Sequence, residues 1–210
     1  KVSGGEGIRI KPVGMHTKAE WTIQMSAIYS SLTRSNLTTA YLSNGTGGEF
    51  YTRISSTAGI QVKNGRDGDD TWTQIPLQAG KWLHITYVHK DKKTTVYVNG
   101  KVQKVFENSA ITFGENSMIV VGNSGYRNDY LREIRLWDKA LTESEINDYL
   151  YLPMDPATPH LISYLPLSKE METKDLKAPA GTENVTTKAR IEYVENVKFP
   201  ADELVIVNQE

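Results

Sequence analysis

The tightest constraint on this chain is a pair of β-rich runs, Thr94 to Val98 and Lys101 to Phe106, joined by Asn99-Gly100. A type I′ turn needs positive φ at both centres, and Asn-Gly accepts that, so the spacing predicts an antiparallel hairpin. Just before it, Lys81-Trp82-Leu83-His84-Ile85-Thr86-Tyr87-Val88 reads as a third strand. Glu20 to Ile28 alternates strictly, with Trp21, Ile23, Met25 and Ala27 on one face and Thr22, Gln24 and Ser26 on the other. That period of two predicts a half-buried strand whose polar face meets water. Glu49 to Ile54, Gly59 to Lys63, Met118 to Val121 and Leu131 to Trp137 complete the main set, with Asn44-Gly45 and Asn64-Gly65 marking two further turns.

One helix interrupts the strands. Thr142-Glu143-Ser144-Glu145 has the form of a capping box, and Leu141 and Ile146 are spaced as a hydrophobic staple. Ile146, Tyr149 and Leu150 form the apolar stripe, and Pro153 is expected to end the helix. Pro153, Pro156 and Pro159 then punctuate a short linker. Leu161 to Leu165, Arg190 to Val197 and Leu204 to Val207 read as strands, and Lys169 to Thr187 as a polar, irregular stretch. Many short strands with one helix predict an all-β fold, an antiparallel two-sheet sandwich; uneven strand lengths argue against a closed barrel. The expected division is a jelly-roll domain over 1–152 and a small C-terminal extension over 153–210. The extension is too small to hold a core alone, so it is expected to dock on the sandwich.

Charge removes several functions. With 24 Lys+Arg against 25 Asp+Glu the net charge is −1, which lacks the electrostatic footprint of a nucleic-acid binder. The chain has no cysteine, so a disulfide framework, a thiolate metal site and a cysteine nucleophile are all excluded. No apolar run reaches the roughly 20 residues of a membrane helix. The start at Lys1-Val2-Ser3 is read as a mature fragment whose targeting and anchoring information lies upstream.

The central motifs resemble the laminin-G-like, concanavalin-A-like jelly rolls of bacterial surface proteins. Gly80-Lys81-Trp82-Leu83-His84-Ile85-Thr86-Tyr87 followed by Thr95-Val96-Tyr97-Val98-Asn99-Gly100 is similar to that family's Trp-led strand and its "hYVNG" hairpin. Ile119-Val120-Val121-Gly122 resembles its "(I/L)xIG" strand, and the run from Leu131 to Ile146 resembles its "(D/E)(V/I)R(I/L)W(N/D)xALSxxEI" close. The resemblance covers roughly residues 1–152 and implies a sandwich in which Trp82, Tyr97, Ile134 and Trp137 fill or border the core. Leu161 to Leu167 resembles the "L(V/I)xYWxL" segment that follows such domains in large surface lipoproteins, departing from it at Pro166. The resemblance therefore implies a bacterial cell-surface or extracellular location, in an outer-membrane lipoprotein.

Some enzymes on this scaffold cleave β-glucans with two Glu and an intervening Asp on one strand, where alternation places all three on the same face. No such run is present: Glu143 and Glu145 fall in the helix cap, and Glu133 is alone on its strand. Gly122-Asn123-Ser124-Gly125-Tyr126 opens no helix and lacks the form of a nucleophile elbow, and His16, His84, His89 and His160 show no zinc-type pairing. His84 reads as a satisfied sheet residue. The loop Asn64 to Asp70 carries Asp67, Asp69 and Asp70 and has two readings. One is a calcium (Ca2+) site completed by carbonyls and water, and the other a solvated turn; no residue is assigned as a metal ligand.

Two loops suit a pyranose, which offers a C–H face for stacking and hydroxyls for planar polar partners. They are Tyr126, Arg127, Asn128, Asp129 and Tyr130 before the closing strand, and the stretch ending in Trp72. The competing readings are ordinary turns with tyrosines covering a sheet edge, or a ligand site on the whole concave sheet face instead. The expected function is a non-catalytic carbohydrate-binding module, a monomer with a glycan partner and no cofactor. The alternatives are a protein-binding or adhesion module, or a structural spacer, with a glycan-cleaving enzyme ranked below them.

Overall fold

The computed structural model describes residues 2–3, 7–14, 18–32, 37–43, 48–64, 71–107, 111, 113–122, 130–187, 190–193, 197 and 199–200. In chain order its strands are β1 (Val2–Ser3), β2 (Ile8–Ile10), β3 (Trp21–Ile28), β4 (Leu37–Ser43), β5 (Gly48–Ser55), β6 (Gly59–Asn64) and β7 (Trp82–Lys90). They continue with β8 (Lys93–Val98), β9 (Lys101–Phe106), β10 (Met118–Val121), β11 (Tyr130–Trp137), β12 (Leu161–Leu165), β13 (Val185–Thr187) and β14 (Arg190–Ile191). The helix α1 is Glu143–Asp148.

Two six-stranded antiparallel sheets form the sandwich. The first runs β13-β2-β10-β4-β5-β6 and the second β12-β11-β3-β7-β8-β9, while β1 and β14 make a small separate pair. The expected hairpin is present: Val98 pairs with Lys101 around Asn99 at φ 51° and Gly100 at φ 76°. Both signs are those of the type I′ turn. Between the sheets lies one apolar core, filled from the first by Ile8, Ile10, Phe50, Ile54, Ile60, Val62, Ile119 and Val121. The second contributes Trp21, Ile23, Met25, Leu83, Ile85, Tyr87, Ile134 and Leu136.

A second core was not legible in the alternation. Val88, Tyr97, Trp137, Leu141, Ile146, Met154, Leu161 and Tyr164 pack together on the outer face of the second sheet. Strand β3 is therefore buried on both faces, with Thr22, Gln24 and Ser26 all at 0% exposure, which overturns the half-buried reading. Tyr97 and Trp137 belong to this outer core, and only Ile134 of the four residues expected around the sandwich core lies between the sheets. Trp82 points outward and packs edge-on to Phe199, its ring centroid 5.0 Å away.

The capping box forms as expected: Glu145 N–H donates to Thr142 Oγ1, and Thr142 N–H to the Glu145 carboxylate. The helix ends at Asp148 with Tyr149 as C-cap, four residues ahead of the expected stop at Pro153. The chain after the helix supplies sheet strands. β12 pairs with β11, and β13 pairs with β2 inside the stretch expected to be irregular. Of the strand expected over 190–197, Arg190–Ile191 forms and residues 192, 193 and 197 are not strand; 194–196, and the strand expected over 204–207, lie outside the described residues.

Candidate functional site

Pleating decides what the first sheet presents outward. With Ile8, Ile10, Phe50, Ile54, Ile60, Val62, Ile119 and Val121 in the core, the intervening Arg9, Tyr51, Arg53, Gln61, Lys63 and Val120 point to the other face. Register carries one row straight across it. Thr186 stands opposite Arg9, Arg9 opposite Val120, Val120 opposite Tyr41, Tyr41 opposite Tyr51, and Tyr51 opposite Lys63. At the usual strand separation that row is about 24 Å long.

Arg9, Tyr51, Arg53 and Lys63 are half-buried, each keeping part of its surface in water. Arg53 Nε–H donates to the Tyr51 hydroxyl at 3.3 Å, and its guanidinium carbon lies 5.0 Å from the Tyr51 ring centroid. The pair is held by alternation: residues two apart on a strand share a face, and the cation is drawn to the ring quadrupole. A phenol ring with a guanidinium beside it offers an apolar plane and directional donors in one place, the combination a sugar ring requires.

The outer face of the second sheet is closed over β11, β3 and β7, where the chain that follows β11 packs on it and, with Trp137, answers several of its polar groups. Thr22 Oγ1 donates to Lys139 O at 2.8 Å and accepts from Leu141 N–H at 3.0 Å. Trp137 Nε1–H donates to Gln24 Oε1 at 2.8 Å, which turns the Gln24 amide nitrogen toward His84 Nε2 at 3.3 Å. That ring nitrogen must accept, so the hydrogen-bond network assigns the His84 proton to Nδ1, which meets Ser26 Oγ at 2.9 Å. Burial, and then the nearby Arg135 charge, lower the His84 pKa to about 3. Burial lowers that of His89, which stacks on Trp21, to about 4. Neither is a base poised near neutrality.

The two carboxylates buried among the described residues, Glu133 and Asp175, are structural. Glu133 sits in a bulge of β11 at φ 55°, accepts from Arg135 at 2.8 Å and from the Tyr164 hydroxyl at 3.0 Å, and is 1% exposed. Burial and the Glu133 charge push the Tyr164 phenol up to about 12. Arg135 also donates to Tyr149 O at 2.8 Å and to Leu152 O, so the ion pair pins the post-helix segment to the sheet. Asp175 accepts from Tyr164 N–H and Lys177 N–H at 2.8 and 2.9 Å, from Asn184 Nδ2 at 2.7 Å and from the Ser163 hydroxyl. Carboxylates spent in this way cannot meet a solvent-borne substrate. Among the described residues, no group of three or more His, Asp and Glu side chains is placed to hold a metal ion.

The residues expected at the site are dispersed. Trp72 is half-buried at the edge of the first sheet, bridged through its backbone to Gln61, and its carbonyl accepts from Lys104 Nζ of β9 at 3.1 Å. Tyr130 opens β11, paired with Ile28, and three strands of the second sheet lie between β11 and β9. The structure does not bring these two together. Tyr126, Arg127, Asn128 and Asp129 fall outside the described residues, as do 65–70 of the candidate calcium loop. Arg9, Tyr51, Arg53 and Lys63 were not singled out from the sequence. Their strand alternation was readable, but which sheet has an outer face that no apolar cluster of the described residues covers was not.

The comparisons with known proteins agree with this architecture. A family profile described as the concanavalin A-like lectin/glucanases superfamily, of the laminin-G type, matches residues 3–147, and the chain belongs to that family. A candidate carbohydrate-binding protein of Bacteroides ovatus is similar in structure at 20% identity and TM-score 0.55; the match covers 79% of this chain and 51% of that one. This chain thus spans about half the length of that protein. Domain 4 of AbnA, a GH43 extracellular arabinanase of Geobacillus stearothermophilus crystallised with arabinotriose, is similar at 18% identity and TM-score 0.54, covering 66% of this chain and 70% of that domain. The heptameric SAP-like pentraxin of Limulus polyphemus is similar at 15% identity and TM-score 0.54, covering 70% and 79%. Identities this low speak to the fold alone. No curated protein sequence matches the chain.

Proposed function

We propose that the protein is a non-catalytic carbohydrate-binding module and that the outer face of its first sheet is the sugar platform. The observation that carries this reading is the Tyr51–Arg53 pair, half-buried on an outer face that no apolar cluster covers among the described residues. The similarity to a candidate carbohydrate-binding protein and to a domain crystallised with arabinotriose supports it. A non-catalytic role is supported by the engagement of Glu133 and Asp175 in buried structural networks. The resemblance of the motifs to bacterial surface proteins supports display at the cell surface.

A protein-docking role has less to stand on. Val102 and Val105 are the only exposed large apolar residues sharing a strand among those described, and two valines fall short of a several-hundred-Å² patch. The test is a glycan array with the purified chain, run with calcium and with EDTA, followed by titration of each hit. Tyr51→Ala should keep the melting temperature and weaken binding several-fold, as loss of one stacking ring does. The Tyr126→Ala, Tyr130→Ala double variant measures what the loop adds, and EDTA tests the calcium reading. No hit on any glycan, or full affinity in Tyr51→Ala, would overturn the platform.

A further inference from the structure

We infer that the glycan taken by this face is an anionic polysaccharide, one bearing carboxylate or sulfate groups along its chain. The inference rests on the reading of the first sheet as a sugar platform and concerns the charge of its ligand. Three cations stand on the platform: Arg9 on β2, Arg53 on β5 and Lys63 on β6. No Asp or Glu occupies a described outward side-chain position of β2, β5, β6 or β10. The nearest acid on these strands by sequence, Glu49, lies in the bulge at the end of β5, where Leu42 pairs with Phe50 and Ser43 with Gly48.

This concentration is local. The whole chain carries −1, with acids slightly outnumbering bases, whereas the described outward positions of β2, β5, β6 and β10 hold three cations and no acid. A uniformly polar face would serve a neutral glycan equally well. The cations also have an order. Arg9 and Lys63 sit on the same cross-strand row, four strands apart, at about 19 Å. Arg53 stands beside the Tyr51 ring between them. A polysaccharide laid across the strands would stack a ring on Tyr51 and place repeated anionic groups near successive cations. Arginine's planar fork matches a carboxylate or sulfate in a two-point hydrogen bond, and lysine adds a point charge. Half-burial strengthens both, since partly desolvated charges are screened less by salt than exposed ones.

The test is affinity electrophoresis and calorimetry of the full chain against four soluble polysaccharides and one polypeptide. Polygalacturonate supplies carboxylates alone, dextran sulfate supplies sulfates alone, and arabinan and galactan are neutral; polyglutamate controls for bare charge. Binding to polygalacturonate or dextran sulfate is expected, weakening several-fold as NaCl rises from low to high ionic strength, and the two arms distinguish the anionic group. The Arg53→Gln, Lys63→Gln double variant should lose that binding several-fold at unchanged melting temperature. The salt titration of the unaltered chain reads the same charge contribution where that variant folds poorly. Binding confined to arabinan or galactan would overturn the inference and leave the sugar platform standing. Binding to none of the four polysaccharides would remove the platform as well. Equal binding to polyglutamate would show a bare polyanion surface and overturn the inference.

Discussion

The outer faces of the two sheets begin from the same alternating pattern and end in opposite conditions. On the second sheet, Thr22, Gln24, Ser26 and His84 are fully buried beneath the chain that follows β11. On the first, Arg9, Tyr51, Arg53 and Lys63 stay half-buried with part of their surface in water. The difference lies in side-chain type and in what covers each face. Short hydroxyl, amide and imidazole groups can be matched one for one by backbone and ring donors, as Thr22 is by Lys139 and Leu141. Burying a polar group costs little only when every such match is made. Long cations cannot be sealed that way without a paired acid. Arg135 obeys the same rule: it is fully buried, and Glu133 lies against it.

Four measurements break or sharpen this contrast, the largest effect first. Arg135→Leu strands a buried Glu133 carboxylate and should destabilise the protein by about 3–5 kcal/mol in denaturant unfolding. The Glu133→Leu, Arg135→Leu double variant should recover much of that loss. A double variant as unstable as the single would mean the pair is not coupled. Leu83→Ala, in the core between the sheets, should cost roughly 2–5 kcal/mol through a cavity that packing cannot close. A near-zero cost would place that side chain outside the core.

The third is a pH titration of stability. The native state holds His84 neutral down to about pH 3, whereas the unfolded chain takes up the proton near the ordinary value of 6.5. The unfolded state therefore binds more protons in that window. The stability this group contributes is complete above pH 6.5 and is lost as pH falls toward 3, at up to about 1.4 kcal/mol per pH unit. His89, also lowered by burial, acts in the same direction. Melting curves from pH 7 to 4.5 should show the decline, and His84→Gln should flatten it; an unchanged slope would remove His84 as its source. The smallest effect is Thr142→Ala, which removes the helix cap and should cost about 1 kcal/mol.

Legibility followed the range of the interaction. The Asn99-Gly100 turn and the Thr142–Glu145 cap are completed within a few residues, and both form where the sequence placed them. The inward face of β3 was also legible, because Trp21, Ile23 and Met25 are apolar wherever the strand lies. The polar face of β3 was misread, since Thr22 and Gln24 look the same in sequence whether water or Trp137 answers them. The outer core and β13 escaped notice for a related reason. Their partners lie far away in sequence, as when Val185 pairs with Ile10. The candidate site shows the same limit: Tyr51 and Arg53 were readable as alternate residues of a strand, but not as residues that stay half-buried on its outer face.

By itself, then, the sequence determined the periodicity of each strand, the turn at Asn99-Gly100, the start of the helix and the family to which the chain belongs. These depend on dihedral preference and on nearest neighbours along the backbone. Only the tertiary structure decided which sheet face is sealed and which keeps its cations at the solvent. That outcome depends on where the chain from Lys139 to Tyr164 comes to rest, and its matches with Thr22 and Glu133 are made across 117 and 31 residues of sequence. A strand's own pattern records that one face is polar; only the segment that folds onto it determines whether that polarity meets hydrogen-bond partners or water.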